Sequence, residues 1–147
     1  MIGVDTNVFL NVLRIDDPPA QRKGSLDFFK FTQQMKIDIA ISVITLTELF
    51  RKPFSHKSSE EKQKIDAFLH LLNVRPVTIS SDAAIEAARL IEECSTHFAD
   101  ALIAASLDFS KVHIFVTRNK LDYKKTNLQV LTPEEFIQNV KLGAIII

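Results

Sequence analysis

The chain has 147 residues, 46% of them hydrophobic, with 18 basic and 18 acidic side chains and no net charge; this fits one soluble domain large enough to bury a core without staples. Its three glycines and balanced charge exclude disorder, collagen-like repeats and low complexity. Cys94 is the only cysteine, so no intrachain disulfide or Cys-rich zinc site can form, and a reducing, cytoplasmic setting is expected.

The start Met1-Ile2-Gly3-Val4-Asp5 lacks the basic segment and apolar run of a secretory signal. No apolar stretch is long enough to cross a bilayer, so no membrane partner is expected. Ile2 to Val4 reads as a strand with Asp5 at its carboxyl end. Asp5 or Thr6 then caps a helix through Val8, Phe9, Val12 and Leu13, stopped by Asp17-Pro18-Pro19. A second helix carries Leu26, Phe29, Phe31 and Met35 as its apolar face. Ile37 to Ile41 reads as a strand, followed by a helix bearing Leu46, Glu48, Leu49 and Phe50 that Pro53 closes.

Ser58-x-x-Glu61 is a capping-box pattern for a helix holding Ile65, Phe68, Leu69 and Leu72. Val74 to Val77 is a short strand with pairing limited by Pro76. Ser81 caps an alanine-rich helix from Ala83 to Glu93. After a break near Cys94-Ser95-Thr96, a further helix spans Phe98 to Leu107. His113 to Thr117 and Leu128 to Leu131 read as strands, and Thr132-Pro133-Glu134-Glu135 opens the last helix with an N-cap, a Pro at the first helical position and a capping-box Glu. The end, Ala144 to Ile147, is expected as an edge strand or packed tail. Strands separated by helices predict an α/β fold: a three-layer α/β/α sandwich around a mainly parallel sheet of four or five strands, with residues 1–147 as a single domain.

Open α/β sheets build their sites at the carboxyl ends of strands. Three acids stand in apolar company: Asp5 after the first strand, Glu48 on an apolar helix, and Asp100 within Phe98-Ala99-Asp100-Ala101-Leu102-Ile103. Each has a structural reading. Asp5 can be an N-cap, Glu48 the return partner of Thr45 in a capping box, and Asp100 a favourable charge at a helix N-terminus. Together they have another, because carboxylates in apolar surroundings are costly unless a cation neutralises them. Asn119 and Asp122, in the loop after the strand ending at Thr117, emerge at the same sheet edge; that loop also reads as a plain polar turn.

Four blocks carry a resemblance: Val4-Asp5-Thr6-Asn7-Val8-Phe9-Leu10, Thr45-Leu46-Thr47-Glu48-Leu49, Asp100-Ala101-Leu102-Ile103-Ala104-Ala105-Ser106 and Val116-Thr117-Arg118-Asn119-Lys120-Leu121-Asp122-Tyr123. In that order, and with Val130 to Phe136 at the end, they resemble the PIN-domain ribonucleases, including the toxin subunits of bacterial and archaeal toxin–antitoxin pairs. The resemblance covers nearly the whole chain. It implies hydrolysis of an RNA phosphodiester by metal-activated water, with Asp5, Glu48 and Asp100 at the three acidic metal-site positions and Asn119 at the fourth. Asp122 corresponds to an additional acid found in part of the family. Thr6, Asn7 and Thr117 correspond to polar residues that orient acids, water or phosphate.

Asn119 leaves one formal charge fewer than an all-acid site, so one metal is a safer expectation than two. Mg²⁺ or Mn²⁺ suits carboxylate and amide oxygens. A neutral chain binds RNA only through local clusters: Arg51-Lys52 with Lys57, and Arg118-Lys120-Lys124-Lys125, of which Arg118 and Lys120 are the preferred phosphate contacts. There is no phosphate-cradling Gly loop, and His56, His70, His97 and His113 belong to no nucleophile motif. The expected partners are an RNA substrate, an antitoxin protein and a second copy of the chain, with Phe28, Phe29 and Phe31 offering a partner surface or core packing. The alternative is a PIN-like domain that binds RNA or protein without cutting, for which Asn119 is the main argument.

Overall fold

The computed structural model describes residues 1–14 and 18–145. Five strands form one sheet: β1 (Ile2–Val4), β2 (Ile39–Ser42), β3 (Arg75–Val77), β4 (Ile114–Val116) and β5 (Gln129–Leu131). Their spatial order is β3-β2-β1-β4-β5, and every pairing is parallel. The order reverses beside β1, which puts the carboxyl end of the central strand at a topological switch point.

Among the described residues seven α-helices flank the sheet: α1 (Thr6–Leu13), α2 (Pro19–Gln34), α3 (Val43–Ser55), α4 (Ser59–Leu71), α5 (Ser81–Cys94), α6 (Phe98–Phe109) and, after the last strand, α7 (Pro133–Lys141). Side-chain alternation along the strands divides the core in two. Ile2, Val4, Ile39, Ile41, Val116 and Leu131 pack under α1, α2, α3, α4 and α7 through Phe9, Phe28, Phe29, Leu49, Ile65 and Phe136. Ala40 and Phe115 face the other way, onto α5 and α6. The expected three layers are therefore present. Gly3 lets α6 approach closely, since a Cβ there would lie 2.9 Å from Leu107 and 3.0 Å from Phe115.

Several local expectations need correction. The buried face of α2 is Ser25, Phe28, Phe29 and Thr32, whereas Leu26 and Met35 are exposed. Phe28 packs edge-on against Phe136, and Phe29 tilts against Phe9. Both rings are fully interior and cannot form a partner surface. Pro53 does not close α3 but lies inside it. The proline forfeits one backbone bond near the helix end, where its buried ring is held by packing.

Thr45 does not cap α3. Strand β2 runs directly into the helix, and Ser42 caps it by accepting from the Ile44 amide at 3.2 Å. Ser80 rather than Ser81 caps α5. Ser58 and Thr132 cap α4 and α7 as expected, the latter in a complete box with Glu135. At the first helix, Arg14 is the C-cap, Asp17 lies outside the described residues, and Pro18-Pro19 instead open α2. Ile145 is buried in the core just beyond a turn rather than in a strand; Ile146 and Ile147 lie outside the described residues.

Candidate active site

The site grows from the carboxyl ends of β1 and β4. The Asp5 amide donates to Val116 O at 3.0 Å, which continues the strand pairing by one residue and sets Asp5 beside Thr117. Asp5 then turns the chain into α1 as its N-cap, Oδ1 accepting from the Thr6 amide at 2.8 Å. The cap and site readings of Asp5 are thus compatible.

Thr117 and Asn7 fix the other carboxylate oxygen. Asp5 Oδ2 accepts from Thr117 Oγ1 at 2.6 Å and from Asn7 Nδ2 at 2.8 Å. Thr117 Oγ1 in turn accepts from Asn7 Nδ2 at 3.1 Å and from the Asn119 amide at 3.0 Å, so its one donor and two lone pairs are all used. Asn7 Oδ1 accepts from the Arg118 amide at 3.1 Å. This network rigidly couples the start of α1 to the loop after β4. Three hydrogen bonds reach Asp5, which leaves capacity on a carboxylate that can accept about four.

Glu48 and Asp100 approach from the helices. With Ser42 as cap of α3, Glu48 is released from capping duty, and Thr6 Oγ1 donates to its Oε2. Asp100, in the first turn of α6, accepts from Tyr123 OH at 3.0 Å. Tyr123 is buried, stacks edge-on with Phe115 and lies in the short 3₁₀ turn Lys120–Tyr123. Burial and the carboxylates around it hold its phenol well above the ordinary range, so it stays a donor. Its orienting role was missed from sequence; the signal was its place at the end of the Thr117 to Tyr123 block.

Asp5, Glu48 and Asp100 line one open cleft of about 600 Å³, with Asn119 also on its wall. Asp5 is 6% exposed. Burial pushes its pKa up to about 6, the Thr117 hydroxyl and Thr6 amide oppose the rise, and the Asp100 and Glu48 charges add to it. Burial likewise raises Asp100, Tyr123 opposes this, and the nearby Asp122 charge adds to it. Among the described residues, none of the three acids forms a salt bridge. The three acids thus gather in the cleft without an ion-pair partner among the described residues.

Among the described residues, no three acidic, His or Cys side chains converge closely enough to hold a metal by themselves. A hard cation that keeps most of its waters needs only one or two carboxylates. The donor set fits such an ion and not an all-protein cage. Asp5 and Asp100 are the carboxylates whose charge burial makes costly; Glu48, Asn119 and Thr6 supply further oxygens on the same wall. Asp122 lines a neighbouring recess with His97 and Lys124 instead, so its expected place as a ligand in the cleft is not what the structure shows.

The expected phosphate contacts also fall elsewhere. Arg118 has a side chain only 16% exposed. It bonds Glu134 at 2.6 and 2.8 Å, Ser25 Oγ at 3.1 Å, Gln21 O at 3.0 Å and Asn11 Oδ1 at 3.3 Å. It ties the β4 loop to α1, α2 and α7 and does not line the cleft. Lys120 pairs with Glu135 at 2.7 and 2.8 Å. The cations on the cleft wall are Arg14, Arg51 and Lys52, and among the described residues none of them has an ion pair. Arg51 and Lys52 stood out in the sequence as a basic pair, whereas Arg14 is brought in by the end of α1.

No helix among the described residues is long and apolar enough to cross a membrane. In fold the chain is similar to a toxin–antitoxin complex from Klebsiella pneumoniae, with a TM-score of 0.65, 23% identity, and 92% of this chain and 99% of the other covered. It is similar to FitAcB from Neisseria gonorrhoeae at a TM-score of 0.66 and 20% identity, covering 90% of this chain and 98% of the other. The same holds for VapBC2 from Rickettsia felis bound to a DNA fragment from their promoter, at 0.66 and 23% identity, again covering 90% and 98%. A search of curated proteins found no match. The sequence model of the PIN domain, by contrast, matches residues 2–126, and with the parallel sheet and the acids at its switch point this makes the chain a member of the PIN domain family.

Proposed function

We propose that the chain is a metal-dependent endoribonuclease and the toxin of a toxin–antitoxin pair. The observation that carries the nuclease reading is the convergence of Asp5, Glu48 and Asp100 on one cleft with no ion pair to any of them among the described residues, Asp5 being pushed up to about 6 by burial and by its two neighbours. A divalent cation removes that penalty, and Mg²⁺ or Mn²⁺ suits the oxygen donors. Asp5 and Asp100 would hold it, with Glu48 either joining them or holding a water.

When bound, the metal supplies a water of lowered pKa and positive charge for the phosphoryl and leaving oxygens. The chain supplies the positions. Thr117, Asn7 and the Thr6 amide fix Asp5; the Thr6 hydroxyl fixes Glu48; Tyr123 fixes Asp100. Asn119, on the cleft wall, offers an amide to a phosphate or to water. Arg14, Arg51 and Lys52 face the same space and neutralise phosphate charge on the substrate strand, which an uncharged protein must do locally. Lys120, whose bridge to Glu135 is partly open to solvent, can exchange that partner for a phosphate at modest cost.

Similarity to structures of toxin–antitoxin assemblies over almost their whole length supports an antitoxin protein as partner, and pairing of two copies of the chain is part of the proposal. Asn119, in place of a fourth acid, together with Asp122 lying outside the cleft, favours the second reading of an RNA- or protein-binding domain that does not cut. One experiment separates them. Purified protein is incubated with mixed structured RNAs in Mg²⁺, in Mn²⁺ and in chelator, beside Asp5→Ala. Metal-dependent fragments lost in Asp5→Ala establish the nuclease; binding without metal-dependent product establishes the alternative. Co-purification with the product of an adjacent reading frame, followed by sizing of the complex, tests the partner and the dimer.

A further inference from the structure

Beside the cleft, across Asp100, lies a smaller recess of about 180 Å³ whose wall joins the α5–α6 connection to the loop after β4. His97, at its edge, stands one helical turn before Asp100, and Tyr123, which bonds Asp100, immediately follows Asp122 on the opposite wall. The recess and the cleft therefore share a ridge. Ser95 adopts a left-handed conformation at φ 55°, which turns the chain sharply between the helices and delivers Thr96 and His97 to the recess.

Four features of this recess suit an anion. First, α6 begins at the edge of the recess with His97 as an N-cap that makes no side-chain hydrogen bond to the helix amides, so the positive end of a twelve-residue helix stands beside it. Second, Thr96 is only 9% exposed, lines the recess, and its hydroxyl has no hydrogen-bond partner among the described residues. Thr45 Oγ1 is the buried hydroxyl left unpartnered among the described residues, so the Thr96 hydroxyl is open to solvent and remains available to whatever enters the recess. Third, Lys124 and Lys125 both line it and, among the described residues, form no salt bridge. Fourth, two lysines outweigh the single carboxylate present, Asp122. A metal is the poorer fit, because Cys94, His97 and Asp122 do not group closely enough to hold one among the described residues.

We propose that this recess binds a backbone phosphate of the substrate RNA flanking the bond held in the cleft, through the Thr96 hydroxyl, Lys124 and Lys125 at the positive end of α6. This rests on reading the cleft as an RNA site, and it names a second anchoring point for that RNA. With Arg14, Arg51 and Lys52 on one side of the acids and this recess on the other, the strand is held at both flanks. The carboxylates, which repel RNA, then face the backbone between two attractive contacts. Affinity consequently grows with RNA length until both flanks are filled.

The test measures binding of RNA oligonucleotides of increasing length by fluorescence anisotropy in chelator, across a range of salt, for the parent protein, Lys124→Ala/Lys125→Ala, Thr96→Val and Thr96→Ser. Folding is checked by circular dichroism. The double lysine variant is expected to flatten the slope of log Kd against log salt by about 0.7, the value for one phosphate contact on a single strand, and to lose the gain in affinity with length. Thr96→Val is expected to weaken the long RNA roughly tenfold, in keeping with loss of a hydrogen bond to a charged group; Thr96→Ser, which keeps the hydroxyl, restores it. Unchanged slope and length dependence in the lysine variant would overturn the proposal, as would equal binding by Thr96→Val and Thr96→Ser. Inorganic phosphate at matched ionic strength forms a second arm. If phosphate shifts the Thr96 and His97 amide resonances while RNA of any length does not, the recess is a free-anion site and the RNA assignment is overturned. Cleavage with Mg²⁺ is scored separately: a protein that binds as described but never cuts loses the nuclease reading and keeps this one, whereas one that cuts with unaltered binding in the variants does the reverse.

Discussion

Thr117 Oγ1 donates to Asp5 Oδ2 at 2.6 Å across 112 residues of sequence. This bond joins the carboxyl ends of β1 and β4, and it works against the burial that raises the Asp5 pKa. Thr117→Val keeps shape and removes the donor. It is expected to cost roughly 2–3 kcal/mol of stability, the scale of a hydrogen bond to a charged group, and to move the Asp5 titration to higher pH. Thr117→Ser retains the hydroxyl and loses only a methyl, about 1 kcal/mol of burial. Urea unfolding and the Asp5 carboxyl resonance followed by NMR check both; an unmoved titration in Thr117→Val would show that the bond does not hold the carboxylate.

Asp5 also makes stability depend on pH, in a direction opposite to an ordinary salt-bridged acid. Its pKa in the fold, about 6, lies above the usual 3.8. Between those values the folded protein keeps a proton that the unfolded chain has released, so stability falls as pH rises through the window. The full cost, roughly 3 kcal/mol at about 1.4 kcal/mol per pH unit, is present at neutral pH without metal. Asp5→Asn removes the linkage. Whatever constant penalty Asp5→Asn brings by disturbing its hydrogen bonds, its stability relative to the parent is expected to improve by that amount from about pH 4 to about pH 7 in chelator. Saturating Mg²⁺ should reduce the pH dependence of the parent, because only the ionised carboxylate binds a cation well.

The sequence made the acids and the strands legible because both are written in short, local patterns: apolar runs that end in Asp5 or in Thr117, and an acid inside an apolar helix. Cap chemistry was less so. Thr45-x-x-Glu48 and Ser42-Val43-Ile44 both satisfy the local rule for a helix start; β2 feeding straight into α3 decides for Ser42, and that is a tertiary fact. Arg118 shows the same limit more sharply. Next to Asn119 it reads as a phosphate contact, yet Glu134, sixteen residues on, captures it, and no local pattern announces a partner on another helix. Arg14 was overlooked for the converse reason, since a lone basic residue past a helix end carries no signal until the fold places it over the cleft.

Gly24 reports on that Arg118 clamp. In an exposed helix interior Gly→Ala stabilises by about 1 kcal/mol, but a Cβ at Gly24 would lie 1.8 Å from Glu134 Oε1 and 2.9 Å from an Arg118 terminal nitrogen. The carboxylate must withdraw, and Arg118 loses the partner that compensates its burial. Gly24→Ala is therefore expected to destabilise by roughly 1–2 kcal/mol, the cost of leaving a partly buried charge poorly paired. In a Glu134→Ala background the obstruction is gone, and the same substitution should turn stabilising. A thermodynamic cycle on these variants measures the coupling; a Gly24→Ala effect of the same sign and size in both backgrounds would disprove the clamp.

The clamp leads to a division of labour among the cations. Arg118 is sequestered by α1, α2 and α7, while Arg51 and Lys52 line the cleft without ion pairs among the described residues. Arg118→Met should lower stability by roughly 1–2 kcal/mol, because Ser25 and Asn11 lose a hydrogen-bond partner while the half-exposed Glu134 is taken over by solvent. It should leave the salt slope of RNA binding intact at temperatures where the protein stays folded. Arg51→Ala/Lys52→Ala should do the opposite. The unfolding free energy stays within about 0.5 kcal/mol of the parent, as for surface substitutions, and the slope of log Kd against log salt flattens by about 1.4 for two lost phosphate contacts on a single strand. Measuring both quantities on both variants decides the matter, since a phosphate contact moves the salt slope and a structural clamp moves the unfolding midpoint. If Arg118→Met flattens the slope while Arg51→Ala/Lys52→Ala leaves it unchanged, the strand runs over the β4 loop and not along the wall of α3.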